Sequence, residues 1–105
     1  MLPPVKHFSH LEQARKIFEG LQQGSIKRSL FTQNANSYFS EQALKDFASS
    51  LARLGAAQEF TQTAQQLRGG MTMRAYRVRL PQKTLRVWTY EMPDGKLEQY
   101  QVVAE

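Results

Sequence analysis

A chain of 105 residues can bury roughly 65% of the surface its unfolded form exposes, enough for one core and too little for a second domain. Its 41% hydrophobic and 22% charged residues exclude a disordered chain. The absence of cysteine excludes a disulfide framework, a thiolate nucleophile and a thiolate metal site.

The formal charge of +5 suits an anionic partner, but solubility alone accounts for it better, because no lysine/arginine run reaches the about five to eight residues of a polybasic patch. No apolar run approaches the about 18 residues of a spanning helix, so no membrane partner is expected. The N-terminus lacks the basic-then-apolar layout of a signal peptide; the chain names no compartment, and a parent protein would set it. Each proline of Met1-Leu2-Pro3-Pro4 restricts itself and its predecessor to non-helical geometry. Residues 1–8 are therefore expected as an extended lead-in or linker, and residues 9–105 as a single domain.

Ser9-His10-Leu11-Glu12 is a capping box that opens a first helix. Leu11, Ala14, Ile17, Phe18 and Leu21 line one face of it, and Gly24 ends it. Gly20 within that helix implies a close approach by another segment, for which a strand is the natural candidate. Ser25 can open a short helical turn carrying Ile26, Leu30 and Phe31, and the TQNANS run after it suits a loop. Ser40 caps a further helix, EQALKDFASSLARL, whose stripe is Leu44, Phe47, Ala48, Leu51 and Leu54.

From Ala56 the apolar period falls to two. A polar strand near Gln58 to Leu67 reads as an edge, and Gly69-Gly70 supplies a tight turn. In the next strand Met71 and Met73 fall on one face and Tyr76, Val78 and Leu80 on the other, which places a bulge near Arg74-Ala75. Pairing Leu80 with Lys83 sets Val78 opposite Leu85 and Tyr76 opposite Val87. A type I turn with a glycine bulge at Met92-Pro93-Asp94-Gly95 pairs Met92 with Lys96. Trp88 then meets Tyr100, Arg86 meets Val102, and Tyr90 meets Glu98. In this register Tyr76, Val78, Leu80, Leu85, Val87, Leu97 and Val103 make the seat for the helices. The other face carries Arg77, Arg79, Arg86, Trp88, Tyr90, Tyr100 and Val102. The fold class expected is α+β: two to three N-terminal helices packed on a bent, mostly antiparallel four-stranded sheet.

That order resembles the cystatin-like roll of the nuclear transport factor two-like superfamily. More narrowly, ARKIFEGLQQG, FTQNANSYFSEQAL, LRGGMTMRAYRVRL and YEMPDGKLEQY are similar to a small accessory domain that trails bacterial serine hydrolases of the β-lactamase type. The resemblance implies an accessory role beside such a hydrolase, and pairing through the open face of the sheet. The hydrolase signatures Ser-x-x-Lys, Ser-x-Asn and Lys-Thr-Gly do not occur, so no catalytic residue carries over. The enzymes of the superfamily project Asp, His, Tyr or Arg inward from strands, whereas the strands expected here contain neither aspartate nor histidine.

The residues themselves assemble no reaction. His7 and His10 lack the further converging ligand a metal needs, Glu91 and Glu98 fall on opposite faces, and no base is placed to activate a serine or threonine. No metal and no cofactor is expected, and the chain is not expected to be an enzyme. Arg77, Arg86, Trp88, Tyr90 and Tyr100 are the candidate partner-binding residues, since aromatics and arginine are enriched in protein–protein interface cores. The partner would be a second copy or a linked or neighbouring hydrolase domain. A simpler reading has arginine stems and rings covering one another on a solvated sheet. A second function class is a small apolar ligand held between the third helix and the sheet by Phe47, Leu51, Tyr76 and Val87, against which a filled core is the simpler expectation. Single-stranded nucleic acid, a third class, is disfavoured because two or three arginines neutralise little phosphate.

Overall fold

The computed structural model describes residues 9–105, so the expected lead-in lies outside the described residues. Helix α1 spans His10–Gln23; Ser9 Oγ accepts the Glu12 amide at its start, and Gly24 closes it. Its buried stripe is Ala14, Ile17, Phe18 and Leu21. The close approach at Gly20 is made by the next loop rather than by a strand. The Ser25 amide donates to the Gly20 carbonyl, and a Cβ on Gly20 would lie 2.7 Å from the Ser25 carbonyl oxygen.

A 3-10 turn at Arg28–Leu30 leads into α2, Gln33–Tyr38, where a loop was expected. Two side chains turn the TQNANS run helical. Thr32 accepts the Ala35 amide as N-cap, and Asn36 donates to the carbonyls of Arg28 and Phe31. Arg28 reaches forward to the carbonyls of Asn36 and Phe39 at the end of that helix, the first of which also accepts the Phe39 amide. Burial of Ala35 and Phe39 fixes the orientation. Helix α3, Glu41–Leu51, is capped by Ser40 and runs on into a 3-10 turn at Ala52–Leu54. Gln22 donates to the carbonyls of Leu51 and Gly55, tying α1 to the end of α3.

The remainder is an antiparallel meander in the order β1-β2-β3-β4: β1 Glu59–Arg68, β2 Met71–Arg79, β3 Thr84–Glu91 and β4 Leu97–Ala104. Gly69 and Gly70 both have positive φ, as a two-residue hairpin turn requires. The expected pairs Val78 with Leu85 and Tyr76 with Val87 are present. The expected bulge in β2 is not: β2 runs unbroken against β3, and the extra residue is Thr63 in β1. A second bulge leaves Glu98 extra in β4, where Glu91 pairs with Leu97 but Tyr90 with Gln99. Bulges bend the sheet, and these two curl it over the helices.

The helices cover one face. Phe18 packs edge-to-face on Phe60, and Phe60 lies tilted against Tyr76, with ring centroids 6.1 and 5.5 Å apart. Phe31, Phe39 and Phe47 continue the aromatic layer toward β4. Among the described residues no helix is long and apolar enough to cross a membrane.

Candidate functional site

The uncovered face is built from four cross-strand rows. Glu59, Arg79 and Thr84 form the first, and Thr61, Arg77, Arg86 and Val103 the second. Ala64, Ala75, Trp88 and Gln101 form the third, and Gln66, Met73, Tyr90 and Gln99 the fourth. The face is thus divided. Its third and fourth rows present an apolar patch of Ala64, Met73, Trp88 and Tyr90 over the buried Ala75, and its first two rows present arginines.

The arginines are partly answered within the face. Arg77 holds Glu105 in a two-bonded fork of 3.1 and 2.8 Å, Arg86 lies 3.9 Å from the same carboxylate, and Arg79 lies 3.9 Å from Glu59. These pairs are exposed, so each contributes about 0–1 kcal/mol and locks nothing. Three guanidiniums against two carboxylates leave that end of the face net positive.

Arg77, Arg86, Trp88 and Tyr90 are therefore brought together on one bare surface. Tyr100 is not with them. The extra residue at Glu98 shifts the register by one, so Trp88 faces Gln101 and Arg86 faces Val103. Tyr100 turns under α1, 5% exposed, and donates from its hydroxyl to the Ala14 carbonyl at 2.7 Å. Val102 and Val103 exchange faces for the same reason. Burial raises the Tyr100 phenol well above the ordinary tyrosine value, and the nearby Tyr76 adds to the effect.

No protein-family model matches the chain, and no match is found among curated proteins or solved structures. The chain is a small α+β fold with helices packed on an open four-stranded antiparallel sheet, and its function is argued from its own residues.

The residues expected to line a ligand pocket fill the interior instead. Tyr76 and Val87 are 1% and 0% exposed, and Leu51 is buried beside them. Phe47 is only partly buried and opens to solvent in two clefts beside β4, the second of which Leu51 also borders.

The covered face also holds a polar cluster. Arg74, 7% exposed, donates to Glu91 at 2.9 Å and to Gln65 at 3.1 Å; the second Glu91 oxygen lies 3.1 Å from His10 Nε2. Tyr76 donates to the His10 carbonyl, and burial raises its phenol pKa. His10 is exposed, but its ring is engaged by Glu91 and its carbonyl by Tyr76. The cluster was legible in principle, because Arg74 and Glu91 share the parity of the buried residues of β2 and β3 and carry opposite charge. Each member is already engaged by another, and among the described residues no three His, Asp or Glu converge as metal ligands.

Proposed function

We propose that this chain is a non-catalytic interaction module that docks on a protein surface through the bare face of its sheet. One observation carries the reading. Trp88, Tyr90 and Met73 form an apolar patch over the buried Ala75, bordered by Arg77, Arg79 and Arg86, and no helix of the described residues lies over it. Trp, Tyr and Arg are the side chains that dominate interface energetics, and an apolar centre with a charged border is the ordinary interface plan.

The occupant favoured by the divided face is a second copy. Two copies related by a two-fold axis can lay apolar patch on apolar patch, with the arginine end of each at the solvated border of the contact. The order of three helices before a bent meander supports kinship with the nuclear transport factor two-like rolls. In that kinship a neighbouring hydrolase domain is the alternative occupant. The saturated Arg74–Glu91–His10 cluster supports the non-catalytic part of the proposal.

Sedimentation velocity tests it. The chain is expected to sediment as a dimer at about 100 μM, and a Trp88→Ala/Tyr90→Ala double variant as a monomer. A wild type that stays monomeric at that concentration removes self-association, and a double variant that dimerises normally removes this face.

A further inference from the structure

The two long edges of the sheet are built differently. β1, at one edge, carries Glu59 and Arg68 at its ends and a bulge at Thr63, devices that stop another strand from adding. β4, at the other, runs Gln99–Ala104 as QYQVVA, with no charge, proline, glycine or bulge. The Glu105 amide donates to Thr84, which sets the phase of the β3–β4 ladder: 99, 101, 103 and 105 bond inward. The backbone N–H and C=O groups of Tyr100, Val102 and Ala104 therefore point away from the sheet, and no strand of the described residues takes them.

The start of this edge is already used for pairing. The Thr32 amide donates to the Leu97 carbonyl at 3.0 Å, and Phe31 bridges Leu97 in parallel. Where that segment turns into α2, a groove opens along β4. A cleft of about 300 Å³ lined by Tyr38, Phe39, Phe47 and Tyr100 is followed by a shallower hollow lined by Phe47, Leu51 and Val102. Tyr38 is 73% exposed beside it. Each part of the groove carries one carboxylate, Glu98 in the first and Asp46 in the second. Both are held by neutral amides, from Asn34 and Gln42, and neither has a cationic partner among the described residues.

We infer that the β4 edge binds an extended peptide by strand addition, and that its occupant is a basic–apolar segment of another protein. Backbone groups of the peptide would pair with Tyr100, Val102 and Ala104. Its alternate apolar side chains would enter the Phe39/Phe47 cleft, and flanking lysines or arginines would answer Glu98 and Asp46. A second copy of this chain suits the groove less well, since its own β4 offers no cation between Gln99 and Ala104. The inference does not depend on what the bare face binds.

The test is a titration of the isotopically labelled chain with the synthetic peptide acetyl-KVTVYVK-amide, followed by amide resonances. The amides of Tyr100, Val102 and Ala104 are expected to shift at about 1 mM peptide and to exchange with solvent about tenfold more slowly. N-methylation of alternate residues should abolish binding in one phase, which faces β4, and spare it in the other. Replacing the lysines by glutamate should weaken binding about fivefold or more. Absence of shifts, equal binding of both N-methylated peptides, or equal binding of the glutamate peptide would overturn the inference. Slowed exchange at these amides that grows with protein concentration without peptide would overturn it in favour of a second copy. Trp88→Ala leaves all these outcomes unchanged, which separates them from the bare-face reading.

Discussion

The two faces of this sheet draw on the same residue types and use them in opposite ways. On the covered face Tyr76 and Tyr100 each give their hydroxyl to a carbonyl of α1, and Arg74 is shared between Gln65 and Glu91. On the bare face Arg77, Arg79 and Arg86 reach two exposed carboxylates, and Trp88 lies half-buried among neighbours with no helix of the described residues above it. Burial explains the difference. A polar atom removed from water costs about 1–3 kcal/mol if unpaired, so the covered face satisfies every one; no buried side-chain N or O lacks a partner among the described residues. The bare face has water to satisfy its polar atoms, so its side chains stay available to a partner.

The largest effect that separates the faces is expected from the two aromatics that neighbour each other along the sheet. Tyr100→Ala empties a buried site under α1 and frees the Ala14 carbonyl, with an expected loss of about 3–5 kcal/mol by urea denaturation. Trp88→Ala, on the other side of the same strand pair, is expected to cost about 1 kcal/mol while changing association. Equal losses would mean that the bare face is a second core rather than a surface.

A somewhat smaller loss, about 3 kcal/mol, is expected for Arg74→Ala, which leaves the Glu91 carboxylate low in exposure beside His10 with its main counter-charge gone. Arg74→Met combined with Glu91→Leu should recover most of that loss, because the pair's desolvation offsets much of its attraction. Arg77→Ala, across the bare face, should change stability by less than about 1 kcal/mol. The contrast fails if Arg77→Ala proves the more damaging.

The sequence makes these contrasts partly visible. The Leu80–Lys83 hairpin fixes the β2–β3 register from turn chemistry alone, and the alternation of Tyr76, Val78, Leu85 and Val87 then places the helices. The Ser9 and Ser40 caps mark two helices because a hydroxyl followed by an apolar stripe has few other uses. Tyr100 was misplaced because a single inserted residue at Glu98 reverses the parity of β4 from Gln99 onward, and nothing local marks it. The glycine turn just before it already accounts for one irregularity, so a second is invisible without the Thr32–Leu97 pairing that sets it. The α2 helix was missed for a similar reason: Asn36 bonds to Arg28 and Phe31, partners that only the folded loop supplies. The bare-face residues Arg77, Arg86, Trp88 and Tyr90 were legible from period two and hairpin geometry. The groove beside β4 was not, since it depends on where α2 ends.

The smallest predicted effect concerns the covered face at alkaline pH. Burial raises the phenols of Tyr76 and Tyr100 above the ordinary value of 10.0. A group that holds its proton more tightly when folded contributes stability that is intact below the unfolded value and lost above it. Between that value and the raised folded one the native state binds more protons than the unfolded state, so stability falls with rising pH. The chain should accordingly hold a flat stability profile through neutral pH and lose up to about 1 kcal/mol per tyrosine for each pH unit above 10. Tyr100→Phe should cost about 1 kcal/mol at pH 7 through the lost bond to Ala14 and then show the shallower alkaline decline. Denaturation profiles of the two proteins that stay parallel from pH 9 to about pH 11 would mean that Tyr100 ionises without leaving its place under α1, and that the covered face admits water where the packing says it does not.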